Sequence, residues 1–224
     1  MSSNQKIREI LLVGFGDLSD FALEAERRFT EYKISWGNSV EYFLAKTKQK
    51  NVLVQPLFLL AGIKYHQLML ETERFGESAI IGKPLLTDDT SIERFAGILA
   101  KEHGNNTVLF VGHGTAHSSN SLYLKLDNEL KKINSNAFVG VLSGTPSFEI
   151  VLSQLLDTSI TSLTLQPLMM SVGKHVKDEI IGSGSNSWRS QVERCGITVN
   201  CVQKGLLEYS EAREMIFELI NKEE

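Results

Sequence analysis

The sequence contains two related halves, and this internal repeat constrains the fold more than any other feature. ILLVGFG recurs as VLFVGHG, VQPLFLLAGIKYHQL recurs as LQPLMMSVGKHVKDE, and GKPLL recurs as QKGLL. Because the three matches occur in the same order, they predict two structurally similar units, residues 1–90 and residues 91–224. Two copies with so long a period do not form a solenoid, which stacks several short repeats.

Each half alternates short apolar runs with helical patterns. Runs such as EILLVGFG, NVLVQPLFLL and TVLFVGHG are typical of strands buried on both faces of a parallel sheet. Amphipathic segments such as SIERFAGILAKEH and SLYLKLDNELKKI separate these runs. We therefore predict an α/β fold of two Rossmann-like halves, each a mainly parallel sheet flanked by helices. The repeated motifs end at the carboxyl ends of strands, where ligands bind in such sheets, so the halves are expected to face a central cleft.

The first half is shorter than the second between its first strand and its QPL strand. The segment EYKISWG is predicted to be what remains there of the strand that NAFVGVLSG supplies in the second half.

Composition limits the kinds of molecule that the protein is expected to bind. The formal net charge is −4, which disfavours a nucleic-acid-binding surface. No apolar run approaches the roughly 18–20 residues of a membrane helix, and the start MSSNQKIREI lacks the apolar core of a signal peptide. We therefore expect a cytoplasmic protein without nucleic-acid or membrane partners, and the sequence leaves its oligomeric state open.

Two histidines are the strongest candidates for chemistry. His113 stands between two glycines at a strand end, and His175 follows the second QPL motif in the segment VGKHVKDE. The repeat aligns them with Phe15 and Lys64, so one half is predicted to hold an ion and the other to supply an apolar wall. Neutral imidazoles suit Co²⁺, Ni²⁺, Zn²⁺ or Fe²⁺. Two protein ligands leave coordination positions open, which suits an ion that is handed on.

Other chemistries fit the motifs less well. GFGDLS lacks the third glycine of a dinucleotide-binding turn, and GHGTAHSS contains no nucleophile elbow of the G-x-S-x-G type. No organic cofactor is therefore predicted.

The motifs LLVGFG, VQPL, GKPLL, VLFVGHGTAH, VGVLSGTP, LQPLMMSVGKHVKDE, NSW and KGL occur in this order along the chain. In this the chain resembles the anaerobic sirohydrochlorin cobaltochelatases, the class II tetrapyrrole chelatases of early cobalamin biosynthesis. The resemblance implies a lyase-type chelatase that inserts Co²⁺ into sirohydrochlorin without ATP. It implies His113 and His175 as metal ligands. Because metal insertion expels two pyrrole N–H protons and a histidine near neutral pKa can accept one, we also predict His113 as a proton acceptor. The glutamate that the family usually carries would fall on Ser143, a weak ligand.

A tetrapyrrole is flat, apolar on its faces and anionic at its rim, which indicates the remaining site residues. Phe15, Phe58 and Met170 are expected to press on the ring. The full set predicted to bind the tetrapyrrole is Gly14, Phe15, Phe58, Tyr65, Gly114, Thr115 and Met170. Cations expected near the carboxylates of its rim are Lys64, Lys174, Lys177 and Arg189.

Three interpretations compete on these observations. The first is an active chelatase, with Fe²⁺ or Ni²⁺ as variants of the metal. The second is a non-catalytic or iron-specific protein that binds a tetrapyrrole or haem. The third is an unrelated α/β binding domain.

Overall fold

The computed structural model describes residues 7–47 and 51–223. The first half forms a four-stranded parallel sheet in the order β2-β1-β3-β4. Its strands are β1 (Glu9–Val13), β2 (Lys33–Gly37), β3 (Val52–Pro56) and β4 (Ala79–Ile81). Its helices are α1 (Ser19–Arg28), α2 (Val40–Lys46) and α3 (Ile63–Glu73), followed by a 3₁₀ turn at Gly76–Ser78.

The second half repeats this topology, with a parallel sheet in the order β6-β5-β7-β8. Its strands are β5 (Val108–Gly114), β6 (Ala137–Ser143), β7 (Ser162–Pro167) and β8 (Thr198–Cys201). Its helices are α4 (Asp89–His103), α5 (Ser121–Ile133), α6 (Phe148–Leu156), α7 (Trp188–Glu193) and α8 (Ser210–Lys222). Shorter turns lie at Ser118–Asn120, Val176–Ile180 and Leu206–Glu208, and the second of these is a π-helix. The predicted pair of parallel α/β halves is confirmed.

The sheets form because consecutive apolar residues cover both of their faces. Every residue of β1 and β3 is buried, as are the first five residues of β5 and β6. Parallel strands enclosed by helices on both faces show this continuous burial. The segment predicted as the remnant strand of the first half is β2, which pairs in register with β1. The first half therefore keeps all four strands.

The repeated QPL motif has a structural role. Gln55 Nε2 donates hydrogen bonds to the carbonyl of the following proline (3.1 Å) and to the carbonyl of Lys83 (2.9 Å). Gln166 Nε2 makes the equivalent bonds to its own proline (2.9 Å) and to Lys204 (3.4 Å). Each buried amide thus ties the third strand of its sheet to the loop after the fourth strand. This explains why QPL and the PLL or GLL segment recur together.

The carboxyl-terminal helix connects the two halves. Helix α8 packs against α1 of the first half, where Phe217 stacks on Phe21 with 4.9 Å between ring centroids. It also contacts α4, where Arg94 forms a bidentate ion pair with Glu218 at 2.5 and 2.7 Å. One buried apolar cluster accordingly contains residues of both halves.

Within the described parts of the chain, every helix is too short or too polar to cross a bilayer.

Candidate functional site

The carboxyl ends of the central strands of both sheets meet at one cavity of about 740 Å³, which we call the cleft. The segments after β1 and β3 line it from the first half, and those after β5 and β7 line it from the second. The predicted site residues that line the cleft are Phe15, Phe58, Tyr65, His113, Gly114, Thr115, Ser143, Met170 and His175. This position beyond the strand ends is the usual ligand site of open α/β sheets.

Gly14 is the predicted site residue that the structure places elsewhere. It is buried at the end of β1, and its N–H donates to the carbonyl of Gly37 at 3.1 Å. A Cβ at this position would lie 3.1 Å from the side chain of Leu57. Packing between neighbouring strands, rather than approach of a ligand, accounts for this glycine.

The two candidate histidines meet in the cleft. The rings of His113 and His175 are nearly perpendicular, at 89°, with centroids 4.9 Å apart. His113 Nδ1 lies 3.3 Å from the carbonyl of Gly114. Because a carbonyl only accepts, this contact places the proton on Nδ1 and leaves the lone pair on Nε2. His175 Nδ1 is hydrogen-bonded to the carboxylate of Glu179, which in the neutral ring likewise places the proton on Nδ1 and the lone pair on Nε2.

The glycines beside His113 are required by packing. Gly114 has a φ of +76°, and a Cβ there would lie 1.8 Å from the backbone oxygen of Ser143 on the neighbouring strand. A Cβ on Gly112 would lie 2.3 Å from the ring of Tyr123. The sequence suggested that these glycines give a ligand close access. Their structural reason is that β5 must pack tightly against β6 and α5.

Tyr123 is a cleft residue to which sequence reasoning gave no role. It is 4% exposed, lies on α5 beneath the His113 turn and lines the cleft. Burial raises the pKa of Tyr123 to about 12, so the phenol stays neutral near physiological pH.

The first half contributes an aromatic wall, formed by Phe15 and Phe58. Their rings stack with centroids 5.9 Å apart and an interplanar angle of 16°. Phe15 is 52% exposed and lines the cleft, so its ring presents apolar surface to the cavity. Ser171 Oγ donates to the carbonyl of Phe15 at 2.6 Å and thereby fixes this wall to the second half. Sequence reasoning did not identify Ser171.

The predicted cations separate into two groups. Lys64 and Lys174 line the cleft, and neither forms an ion pair with a described residue. Lys177 is exposed outside the cleft lining, and Arg189 lies on α7, where it pairs with Glu193 at 3.0 Å. The expectation that all four cations surround the site therefore holds for only two.

A second histidine pair lies beside the cleft. The rings of His66 and His117 contact each other across the two halves, with centroids 4.3 Å apart and an interplanar angle of 33°. Ser119 Oγ donates to the carbonyl of Ala61 at 2.8 Å in the same place. These contacts join α3 to the turn after β5.

Two parallel α/β halves with a cleft at the carboxyl ends of their strands define a two-unit α/β protein whose expected ligand site lies between the halves. The sequence model of the cobalt chelatase (CbiK) family matches residues 26–223, and the chain belongs to this family. The sequence resemblance to the anaerobic cobaltochelatases is thus confirmed.

Individual relatives agree with this assignment. Sirohydrochlorin cobaltochelatase CbiKC of Nitratidesulfovibrio vulgaris is 28% identical over 172 residues, which cover 72% of this chain and 61% of the relative. Sirohydrochlorin cobaltochelatase of Salmonella typhimurium is 25% identical over 179 residues, covering 77% and 68%. The matched region therefore spans roughly two thirds of these curated relatives. The structure of SirB from Bacillus subtilis with Fe³⁺ has a TM-score of 0.67 at 13% identity, covers 97% and 96% of the chains, and shares the fold.

Proposed function

We propose that this protein inserts Co²⁺ into sirohydrochlorin without ATP. The observation that carries the proposal is the meeting of two imidazoles, each with a free Nε2, in one cleft beside an exposed aromatic wall. Both curated relatives are named sirohydrochlorin cobaltochelatase, which supports the choice of metal and ring.

The cleft has the size and chemistry that a tetrapyrrole needs. Its volume of about 740 Å³ lies within the range of about 300–1,000 Å³ found for small-molecule sites. The aromatic wall offers a flat apolar surface to one face of the ring. Lys64 and Lys174 are available to pair with carboxylates at the rim of the ring. Both lysines are exposed, so each such pair is expected to contribute modestly.

The reaction exchanges one divalent ion for two protons. Co²⁺ replaces the two hydrogens of the pyrrole N–H groups, and two protons leave as the four ring nitrogens take up the ion. We assign His113 Nε2 as a ligand of the incoming ion and, once the ring has taken the ion from it, as acceptor of one departing proton, while the second proton passes to water. His175 is assigned as the second ligand. With only two imidazoles from the protein, water completes the shell and is easily displaced by the ring.

The decisive experiment mixes the protein with sirohydrochlorin and Co²⁺ and follows the absorption spectrum of the ring. We expect metal insertion faster than in protein-free solution. The same assay with Fe²⁺ and Ni²⁺ decides the metal. Tetrapyrrole binding without insertion of any of the three ions would instead identify a non-catalytic carrier.

Introducing a carboxylate at Ser143 is expected to strengthen Co²⁺ binding. Ser143 ends β6, is exposed and lines the cleft, and its backbone is in register with Gly114. Because a carboxylate is a far better ligand for a divalent ion than a hydroxyl, Ser143→Glu should raise the affinity by about tenfold, or about 1.4 kcal/mol. Calorimetric titration with Co²⁺ measures the change.

The variant Ser143→Gln is the matched control, because glutamine has the same shape as glutamate without its charge. If Ser143→Glu and the natural protein bind Co²⁺ with equal affinity, a carboxylate at position 143 does not act as a metal ligand, and the prediction is wrong.

A further inference from the structure

We infer that Glu179 is a positioning residue for His175, holding its imidazole in the tautomer that presents Nε2 to the incoming metal. Glu179 was not among the residues that the sequence motifs singled out. The inference rests on the proposed function for the identity of the metal, whereas the tautomer itself is a property of the metal-free protein.

The hydrogen bond between His175 Nδ1 and Glu179 Oε1 determines the tautomer of the ring. An ionised carboxylate only accepts hydrogen bonds, so the proton must lie on Nδ1. Nε2 then carries the lone pair, which a metal requires. Free neutral histidine prefers the opposite tautomer, with the proton on Nε2. The carboxylate therefore reverses the intrinsic preference of this ring.

The local backbone keeps the two side chains together. Glu179 follows His175 by four residues, within the π-helical turn Val176–Ile180. Val176 and Ile180 are fully buried, and they anchor this turn in the core of the second half. A Cβ on Gly182 would lie 2.5 Å from the carbonyl of Lys177, so the chain needs a glycine to leave the widened turn. Single π-turns of this kind occur frequently at functional sites.

The carboxylate has no competing structural task. Among the described residues, no lysine or arginine forms an ion pair with Glu179. The other cleft imidazole, His113, is oriented through the same nitrogen by the carbonyl of Gly114. Both rings thus bind an acceptor at Nδ1 and leave Nε2 free. A carboxylate is the stronger acceptor of the two, and carboxylate partners raise the basicity of histidine ligands.

The test compares Glu179→Ala and Glu179→Gln with the natural protein. The matched control is Asp178→Asn, which removes one negative charge from the same turn at a residue that is exposed. Long-range ¹H–¹⁵N correlation spectra of the metal-free protein report the tautomer of His175. Calorimetric titration with Co²⁺ alone reports the affinity for the metal. Glutamine keeps an acceptor oxygen, so this variant stays informative if the alanine variant does not fold.

We expect Glu179→Ala to shift His175 toward the tautomer with the proton on Nε2 and to weaken Co²⁺ binding by about 10- to 100-fold. Glu179→Gln should lie between alanine and the natural protein in both measurements, and Asp178→Asn should stay within twofold of the natural protein. The inference requires both changes together. An unchanged tautomer, an unchanged affinity, or an equal loss in Asp178→Asn would each overturn it.

The result of this test can be distinguished from the result of the experiment that tests the proposed function. If the natural protein inserts no metal into sirohydrochlorin, the proposed function fails. The tautomer and the Co²⁺ affinity of the metal-free protein still decide the role of Glu179 in that case.

Discussion

Replacing His113 with alanine is expected to lower the rate of Co²⁺ insertion by about 10²- to 10⁴-fold, the range typical of a lost general acid or base. His113 is the penultimate residue of β5, lines the cleft and lies 4.9 Å from His175 between ring centroids. Its loss removes one of the two ligands that we assign to the protein, together with the assigned proton acceptor. The aromatic wall remains, so the KM for the tetrapyrrole should change little while kcat falls. Steady-state kinetics from the absorption change of the ring separate the two parameters.

His117→Gln is the control for this prediction. His117 accepts a hydrogen bond from the Ser119 N–H at 3.2 Å, which glutamine can replace, and it is not among the residues that line the cleft. Its rate should stay close to that of the natural protein. A His113→Ala variant that folds and keeps the full insertion rate would refute the assigned mechanism.

The two halves contribute different residues to the cleft at positions that the repeat aligns with each other. The sequence aligns Phe15 with His113 and Lys64 with His175, and all four residues line the same cavity. Under the proposed function, one copy of each motif supplies a metal ligand, and the other supplies either an aromatic surface or a cation. The same backbone, used twice, would then hold the two imidazoles and the aromatic wall in one cavity.

The architecture could be predicted because strands that are buried on both faces of a sheet appear in the sequence as continuous apolar runs. Apolar runs such as those of β1 and β5 have few alternatives to central parallel strands. Helix α3 is difficult to predict from the sequence because it has no clear apolar face. Leu68 and Thr72 are buried, whereas Leu70 on the same helix is 56% exposed. Local periodicity carries little signal for such a helix.

The sequence predicted both histidines of the candidate site, but not every residue that lines the cleft. His113 and His175 stand next to glycines in repeated motifs, which made them conspicuous. Tyr123 and Ser171 reach the cleft through tertiary packing, which local sequence patterns do not predict. Glu179 did leave a signal, since an acid four residues after a histidine on a helical turn is placed to contact it.

The role of Gln55 and Gln166 shows how a motif can mislead. Repetition of QPL at the cleft invites a functional interpretation, but both amides are fully buried and bond to backbone carbonyls. The motif recurs because each half needs the same connection between its third strand and a neighbouring loop.

Phe217→Ala is expected to lower the free energy of unfolding by about 3–5 kcal/mol, the usual cost of removing a buried phenylalanine ring. Phe217 is fully buried and stacks on Phe21, with a third ring, Phe29, packed edge-on at 5.8 Å between centroids. The exposed ion pair between Arg28 and Glu214 lies beside this cluster, and such pairs contribute at most about 1 kcal/mol. The aromatic cluster is therefore expected to contribute more to the attachment of α8 to α1 than this ion pair does.

Urea and thermal unfolding measure this effect, and the melting temperature should fall by roughly 6–20 °C for a chain of this size. Leu23→Ala is the matched control, because Leu23 lies on the same helix as Phe21 but is 44% exposed. Its cost should stay within about 0.5 kcal/mol, as for most surface substitutions. Because α8 follows the second sheet in the chain but packs on the first, loosening it should also weaken the contact between the halves that shapes the cleft. A loss below about 1 kcal/mol for Phe217→Ala would mean that α8 does not hold the two halves together.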